Sequence, residues 1–279
     1  MEATDRSFDL SQTINYTLSI RFISGGFCFI VFNRQHKKIL HFAEITDKNK
    51  DVKLLFKEYF AENPILQRSF EEVFCLWDTP LYTLLPNAVF SEEHIAQFWE
   101  LNFGKNSSDN LSFFSDKLKL PDVVNIYAVP AEYVNLLKEC FPSVQFINQQ
   151  SVQIIHSLFE NRKENNSQVY LQIHRDFFDA LVLQKGKIRL ANSYRFQSKD
   201  EFLYFSINLF EQLQLDPCIT EVILSGETDE KDEKTTTLRK YIRTVMFKKT
   251  TTDISGLSLK KLPNPERYTN LFNLPLCVS

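Results

Sequence analysis

The chain has 279 residues, room for two domains of ordinary size, and its 32 basic and 35 acidic side chains leave a net charge of −3. That balance excludes a generally basic nucleic-acid binder, and only 6 glycines argue against an enzyme built on several Gly-rich phosphate loops. The five cysteines lie no closer than 47 residues apart and form no C-x-x-C, so neither a disulfide framework nor a thiolate metal site is supported, and a reducing, cytoplasmic setting fits.

The first residues lack the basic-then-apolar pattern of a secretory signal, and the longest apolar run, 27–32, is far short of a membrane span. Tyr16, Leu18, Ile20 and Phe22 alternate with Thr17, Ser19 and Arg21, which predicts a strand with one buried face. Ser24, Gly25 and Gly26 make a turn into the run 27–32, a strand covered on both faces. A third strand follows at 39–45, a helix at 51–61 with apolar residues at helical spacing, and a strand at 71–77. The next stretch reads as an insertion: a helix over 91–103, a polar loop at 105–110, and two strands within 111–129 broken at Pro121. Pro130 opens a helix to Cys140, 144–147 is a short strand, 151–161 a helix, and 162–167 a polar junction.

The second half repeats the order of the first. Strands are expected at 169–173, 178–183 and 188–196, a helix after the S-x-x-E capping box of Ser198 and Glu201, and a strand at 220–224 ending in Ser225 and Gly226. Leu18 to Leu171 and Ile20 to Ile173 are each 153 apart, while Leu54 to Leu203, Phe60 to Leu209 and Val73 to Val222 are each 149 apart. Such offsets indicate a duplicated β-β-β-α-β unit with shorter turns in the second copy. The expected architecture is α/β, two lobes with mixed sheets flanked by helices. The first lobe spans 1–163, with its insertion around 80–122, and the second spans 164–279.

This plan resembles the superfamily of actin, sugar kinases and heat-shock-protein ATPases, a ribonuclease H-like fold in which two lobes clasp a nucleotide. More narrowly, the segments YTLSIRFISGGFCFIVF (16–32), VVNIYAVPAEYVNLL (123–137), EFLYFSINLFEQLQLD (201–216) and EVILSGE (221–227) are similar to the Bacteroidetes family DUF3822, which has an actin-like fold and no established activity. The wider resemblance implies ATP with Mg²⁺ between the lobes, held by a Gly-rich turn in each first hairpin and by acids beside it.

The residues present depart from that pattern. No acid precedes Gly25 and Gly26; Arg21 can meet a phosphate but cannot bind a metal. In the second hairpin Asp176 reads as a turn former, Phe177 and Phe178 stand where small residues should let backbone reach phosphate, and Asp179 is a polar oddity in an apolar run that would pair with a nearby Arg or Lys or face solvent. After Ser225 and Gly226 the place of a second glycine is taken by Glu227, followed by an acid-rich run to 234 that repels triphosphate. The five histidines are scattered without metal-ligand spacing. The basic cluster Arg239, Lys240, Arg243, Lys248 and Lys249 reads as a helix surface.

The expected function is therefore a non-catalytic actin-like scaffold that holds another protein, or a second copy of itself, with nucleic acid disfavoured. Phe113 and Phe114, set between serines, are the expected exposed partner surface. The alternative is a nucleotide- or phosphate-binding ATPase or sensor using Arg21, Gly25, Gly26, Ser225 and Gly226 in the cleft.

Overall fold

The computed structural model describes residues 1–104, 109–162, 166–248, 255–257, 262 and 264–278. The first sheet holds β1 (Glu2–Thr4), β2 (Thr17–Ile23), β3 (Gly26–Asn33), β4 (Lys38–Thr46), β5 (Glu72–Trp77) and β9 (Gln145–Asn148) in the order β1-β4-β3-β2-β5-β9. The hairpins β2-β3 and β3-β4 are antiparallel, whereas β5 and β9 run parallel to β2 and to each other. Helix α1 (Val52–Glu62), capped by the Asp51 carboxylate, supplies the crossover between β4 and β5.

The second sheet repeats this layout with β10 (Gln168–Ile173), β11 (Phe177–Gln184), β12 (Lys187–Arg195), β13 (Glu221–Gly226) and β14 (Thr244–Phe247), in the order β12-β11-β10-β13-β14. Its crossover is α5 (Lys199–Gln212), opened by the expected box: Ser198 Oγ accepts from the Glu201 amide at 3.2 Å, while the Glu201 carboxylate reaches back to the amide of Gln197 at 2.7 Å. Strand directions match pair by pair, and both second strands carry a bulge, after Val31 and after Val182.

Register corrects the sequence offset by one pleat. Leu18 faces Val31 and Val73, and Val169 faces Val182 and Val222, so Leu18 is equivalent to Val169, 151 residues on, rather than to Leu171. A slip of two residues keeps every side chain on its own face, and so burial pattern alone could not detect it.

The insertion is larger than the expected 80–122. β6 (Tyr82–Pro86), β7 (Leu111–Leu118) and β8 (Val123–Pro130) form a separate antiparallel sheet, β6-β8-β7. It packs with α2 (Ile95–Phe103) around Trp99, which is fully buried among Val124, Ile126 and Ala128. Helix α3 (Ala131–Cys140) leads from β8 to β9 and covers the first sheet together with α1.

Three helices decide where the cores lie. α4 (Gln149–Asn161) is wedged between the two main sheets, with Val152 in the core beneath the first and Ile154 in the core beneath the second. α6 (Glu233–Leu238) lies over the second sheet, beside α5. α7 (Thr269–Cys277) does not stay with the second lobe. Its Leu271, Phe272 and Leu274 pack against Cys28, Ile30, Phe32 and Phe42 of the first sheet, and β15 (Ser255–Gly256) pairs with β4. Assigning 164–279 wholly to a second lobe therefore misplaces the C-terminal segment. The same packing overturns the one-sided reading of β2: Thr17, Ser19 and Arg21 are buried because α7 covers the face expected to meet water.

The sequence is rich in aromatic residues, with 26 Phe, 10 Tyr and 2 Trp, and many of them fill these cores. Phe27, Phe29, Phe32, Phe42, Phe56, Phe74, Phe178, Phe202 and Phe272 are fully buried, and edge-to-face pairs such as Phe27–Phe56, centroids 4.9 Å apart, recur through them.

Asp116 on β7 ties the insertion to α4. Its carboxylate accepts from the amide of Asn148 (2.9 Å), which caps α4, and from the hydroxyl of Tyr127 (3.1 Å); burial pushes its pKa from 3.8 up to about 7. His41 is the opposite case, pulled from 6.5 down to about 4 by burial. Asp116 thus stabilises the fold below pH 3.8 and loses that contribution as pH rises to about 7, whereas His41 contributes above 6.5 and loses it as pH falls to about 4. Between these limits the two slopes oppose, each at most about 1.4 kcal/mol per pH unit. Asp116→Asn removes one of them, so the variant's unfolding free energy is expected to climb with pH more steeply than the wild type's; urea titrations at several pH values between 4 and 6.5 read the difference.

Candidate functional site

In sheets with parallel strands, ligands gather beyond the carboxyl ends of those strands. Here the two main sheets present such edges toward each other. Arg21 is the last residue of β2 paired with β5, Asp78, Gln149 and His174 follow directly on β5, β9 and β10, and β13 ends at Ser225 and Gly226 with Glu227 next. α7 closes one side with Asn270, preceded by Arg267.

A continuous polar network fills the space between these ends. Arg21, only 3% exposed, donates from Nε and Nη2 to Asp78 Oδ2 at 2.8 and 2.6 Å and from Nη1 to the Arg267 carbonyl at 2.8 Å. Burial works against the Arg21 charge, but Asp78 more than offsets it and the guanidinium is held above its ordinary value. Asp78 Oδ2 lies 3.6 Å from His174 Nδ1, across the lobes, and His174 Nε2 lies 3.1 Å from Asp179 Oδ2. The His174 ring stacks on Phe177 at 4.1 Å. Asp179, wholly buried, also accepts from the Gln149 amide and the Ser193 hydroxyl, and Asn270 Nδ2 donates to Gln149 Oε1 at 3.2 Å. Beside this network Arg267 bridges Glu44 (3.5 Å) in the first sheet and Glu227 (3.3 Å) in the second. At the rim the two hairpin turns meet directly, Arg175 Nη1 donating to Ser24 Oγ at 3.2 Å.

Each residue expected in a nucleotide cleft therefore has a structural partner. Arg21 is committed to Asp78. Gly26 lies so close to β4 that an added Cβ would sit 2.0 Å from the Ile45 carbonyl oxygen, and Gly25 turns the hairpin with φ +72°. Ser225 donates its hydroxyl to Gln172 Oε1, and Gly226 abuts Ile173. Glu227, the anion in place of a second glycine, is the partner of Arg267. Asp179 pairs with histidine, glutamine and serine, neither with Arg or Lys nor with solvent. ATP with Mg²⁺ does not fit this residue set: the space between the hairpins is crossed by side chains that satisfy one another, and among the described residues no cluster of three or more His, Cys, Asp or Glu is arranged to hold a metal ion.

Other expectations are corrected as well. Phe113 and Phe114 are half-buried, not exposed: Phe113 lies against Trp99 (5.0 Å) in the core of the insertion, and Phe114 against Phe146 (4.8 Å) beneath the first sheet. The strand β7 turns one side chain to each core, which two adjacent aromatics serve. The basic cluster is no helix surface. α6 stops at Leu238, 244–247 is a strand, and Lys248 is buried; Lys249 lies outside the described residues.

Asp78, His174, Gln149, Asn270 and Arg267 were not singled out in the sequence. For Asp78 and His174 a signal exists, since each is the polar residue directly beyond a mostly apolar strand (EVFCLW, VYLQI), whereas Gln149 merely follows the polar Asn148. Nothing local marks Arg267 or Asn270, which reach the site only because the C-terminal helix crosses back.

Comparison with known proteins accords with this architecture. A crystal structure from Bacteroides thetaiotaomicron VPI-5482, described as a protein with actin-like ATPase fold and unknown function, superposes with a TM-score of 0.82 at 23% identity, covering 97% of this chain and 99% of that one. The PilM-PilN type IV pilus biogenesis complex superposes with a TM-score of 0.63 at 12% identity, covering 96% and 99%. At such identities the likeness is one of fold, and the fold is that of the actin-like ATPases. No curated protein matches the sequence. The model of DUF3822, a family of unknown function, matches residues 5–245, and the chain belongs to that family.

Proposed function

We propose that this protein is a non-catalytic actin-like scaffold whose lobes are locked together and which holds another protein on its outer surface, in the cytoplasm. The observation that carries the reading is the cleft network from Arg21 through Asp78, His174 and Asp179 to Gln149 and Asn270, which occupies the place of a nucleotide with side chains drawn from both lobes and from α7. Opening that cleft would strip buried charges of their partners, so the fold's usual hinge is held shut. All five cysteines are free, in keeping with a reducing compartment, and no helix among the described residues is long and apolar enough to cross a membrane. PilM, of the same fold, has been solved in complex with PilN, an instance of this architecture engaging a protein.

A thermal-shift screen with ATP, ADP, GTP and AMP, each with and without Mg²⁺, tests the reading. The expected result is a flat response. Binding at a hundredfold excess over Kd would add about 2.7 kcal/mol, which for a chain of this size is a rise of roughly 5–10 °C. A Mg²⁺-dependent rise of that order would establish the nucleotide-binding alternative and reject the locked scaffold. With a flat response, a stoichiometric partner retained from host extract in EDTA would complete the case.

A further inference from the structure

Far from the cleft network, the end of β14 carries a buried lysine. The Lys248 amide donates to the Leu224 carbonyl at 2.7 Å, extending β14 alongside β13, and the side chain turns inward until only 5% is exposed. Among the described residues its Nζ has no hydrogen-bond partner. The nearest carboxylate oxygen, Glu160 Oε2, is 3.9 Å away, and the ring of Tyr170 faces the amine at 5.6 Å. These groups border a cavity of about 250 Å³ whose remaining walls include Ile223, Met246 and Phe247.

A buried ammonium with unfilled donors is costly, so burial disfavours the charged form of Lys248. Burial pulls Lys248 below its ordinary value, with Glu160 opposing. The same Glu160 oxygen, Oε2, also lies 3.1 Å from His156 Nδ1. Glu160 already brings a carboxylate to the cavity, so an anionic ligand would set like charges side by side, whereas an uncharged ligand would not. A desolvated amine at a cavity walled by Gln168 and Tyr170 as well as Ile223, Met246 and Phe247, with a carboxylate near enough to relay protons, is an arrangement suited to attack on a carbonyl carbon.

We propose that Lys248 is a reactive amine in a site for a small uncharged aldehyde or ketone. The amine nitrogen bonds to the carbonyl carbon as the C=O π bond opens, and Glu160 carries one amine proton from nitrogen to oxygen to give the carbinolamine. It then carries the second, so that the C–O bond breaks with loss of water and a C=N double bond, the imine, remains. No oxidant or second substrate is needed.

Benzaldehyde, followed by borohydride reduction and peptide mass spectrometry of the full chain near neutral pH, tests this directly. Lys248 is expected to be labelled about tenfold faster than the exposed Lys57 and Lys199. Glu160→Gln is expected to slow that labelling several-fold, and Lys248→Arg to abolish it while other lysines react as before. Equal or slower labelling of Lys248 would overturn the proposal. Should a variant fail to fold, the wild type suffices: the preference must vanish in the urea-unfolded chain, and a preference that persists there belongs to the peptide and refutes the site.

Discussion

Arg21→Ala is expected to destabilise the protein by about 3–5 kcal/mol, because it leaves the Asp78 carboxylate buried in the cleft without its cation. Asp78 is 12% exposed and its second oxygen, Oδ1, has no hydrogen-bond partner among the described residues, so that beyond the His174 ring at 3.6 Å nothing is placed to take over from the guanidinium. The loss extends beyond the pair. Arg21 also donates to the Arg267 carbonyl, at the entry to α7, and Asp78 faces His174 of the other lobe. For a chain of this length the midpoint should fall by roughly 10 °C. Arg21→Met with Asp78→Leu removes both charges and keeps the volume; that double variant is expected to recover a large part of the loss, since an apolar pair replaces an ion pair at little cost. Calorimetric melting of the three proteins decides the matter. A single variant within a degree of the wild type would show that the pair does not lock the cleft.

Gly226→Ala is expected to be comparably severe, for a backbone reason. Gly226 adopts φ +90°, and a Cβ there would lie 2.1 Å from the Ile173 carbonyl oxygen and 2.9 Å from its nitrogen. That carbonyl accepts the Glu227 amide at 2.7 Å, so β10 cannot withdraw without breaking the contact that places Glu227 opposite Arg267. A cost of about 3 kcal/mol or more follows from the strained dihedral together with the displaced strand. Gly186 is the internal control: its φ is +67° but nothing lies within 4 Å of an added Cβ, so Gly186→Ala is expected to cost only about 1–2 kcal/mol. Chemical denaturation of both variants separates close approach from dihedral strain, and equal losses would contradict the packing argument.

Much of this fold was legible because it was written twice. Alternation at 16–22, the apolar run 27–32 and the helix at 51–61 recur at 169–173, 178–183 and 198–213, and two weak patterns in the same order outweigh either alone. Burial of the polar side of β2 was illegible, because it depends on a helix some 250 residues later, and a period-2 pattern reports residue chemistry rather than what eventually covers it. Asp179 illustrates the site. Its position in an apolar strand marked it as unusual, but the residue that answers it, His174, sits across a hairpin among histidines with no spacing to connect them. Lys248 misled for the same reason: next to other basic residues it resembles a solvated face, and only its place beside β13 at the end of β14 buries it.

The return of α7 to the first sheet has a consequence for how the chain is made. β5 ends at Trp77, yet the face of the first sheet bearing Ile30, Phe32 and Phe42 is covered only in part by Val152 of α4, and its cover is completed only when residues from Thr269 onward have been synthesised. At ribosomal speed the interval from β5 to α7 is roughly 10–40 s, during which apolar surface of the growing sheet stands open. The N-terminal lobe therefore does not finish first. Both halves reach their final form together, once α7 has been made, and the stretch in between is when chaperone protection matters most.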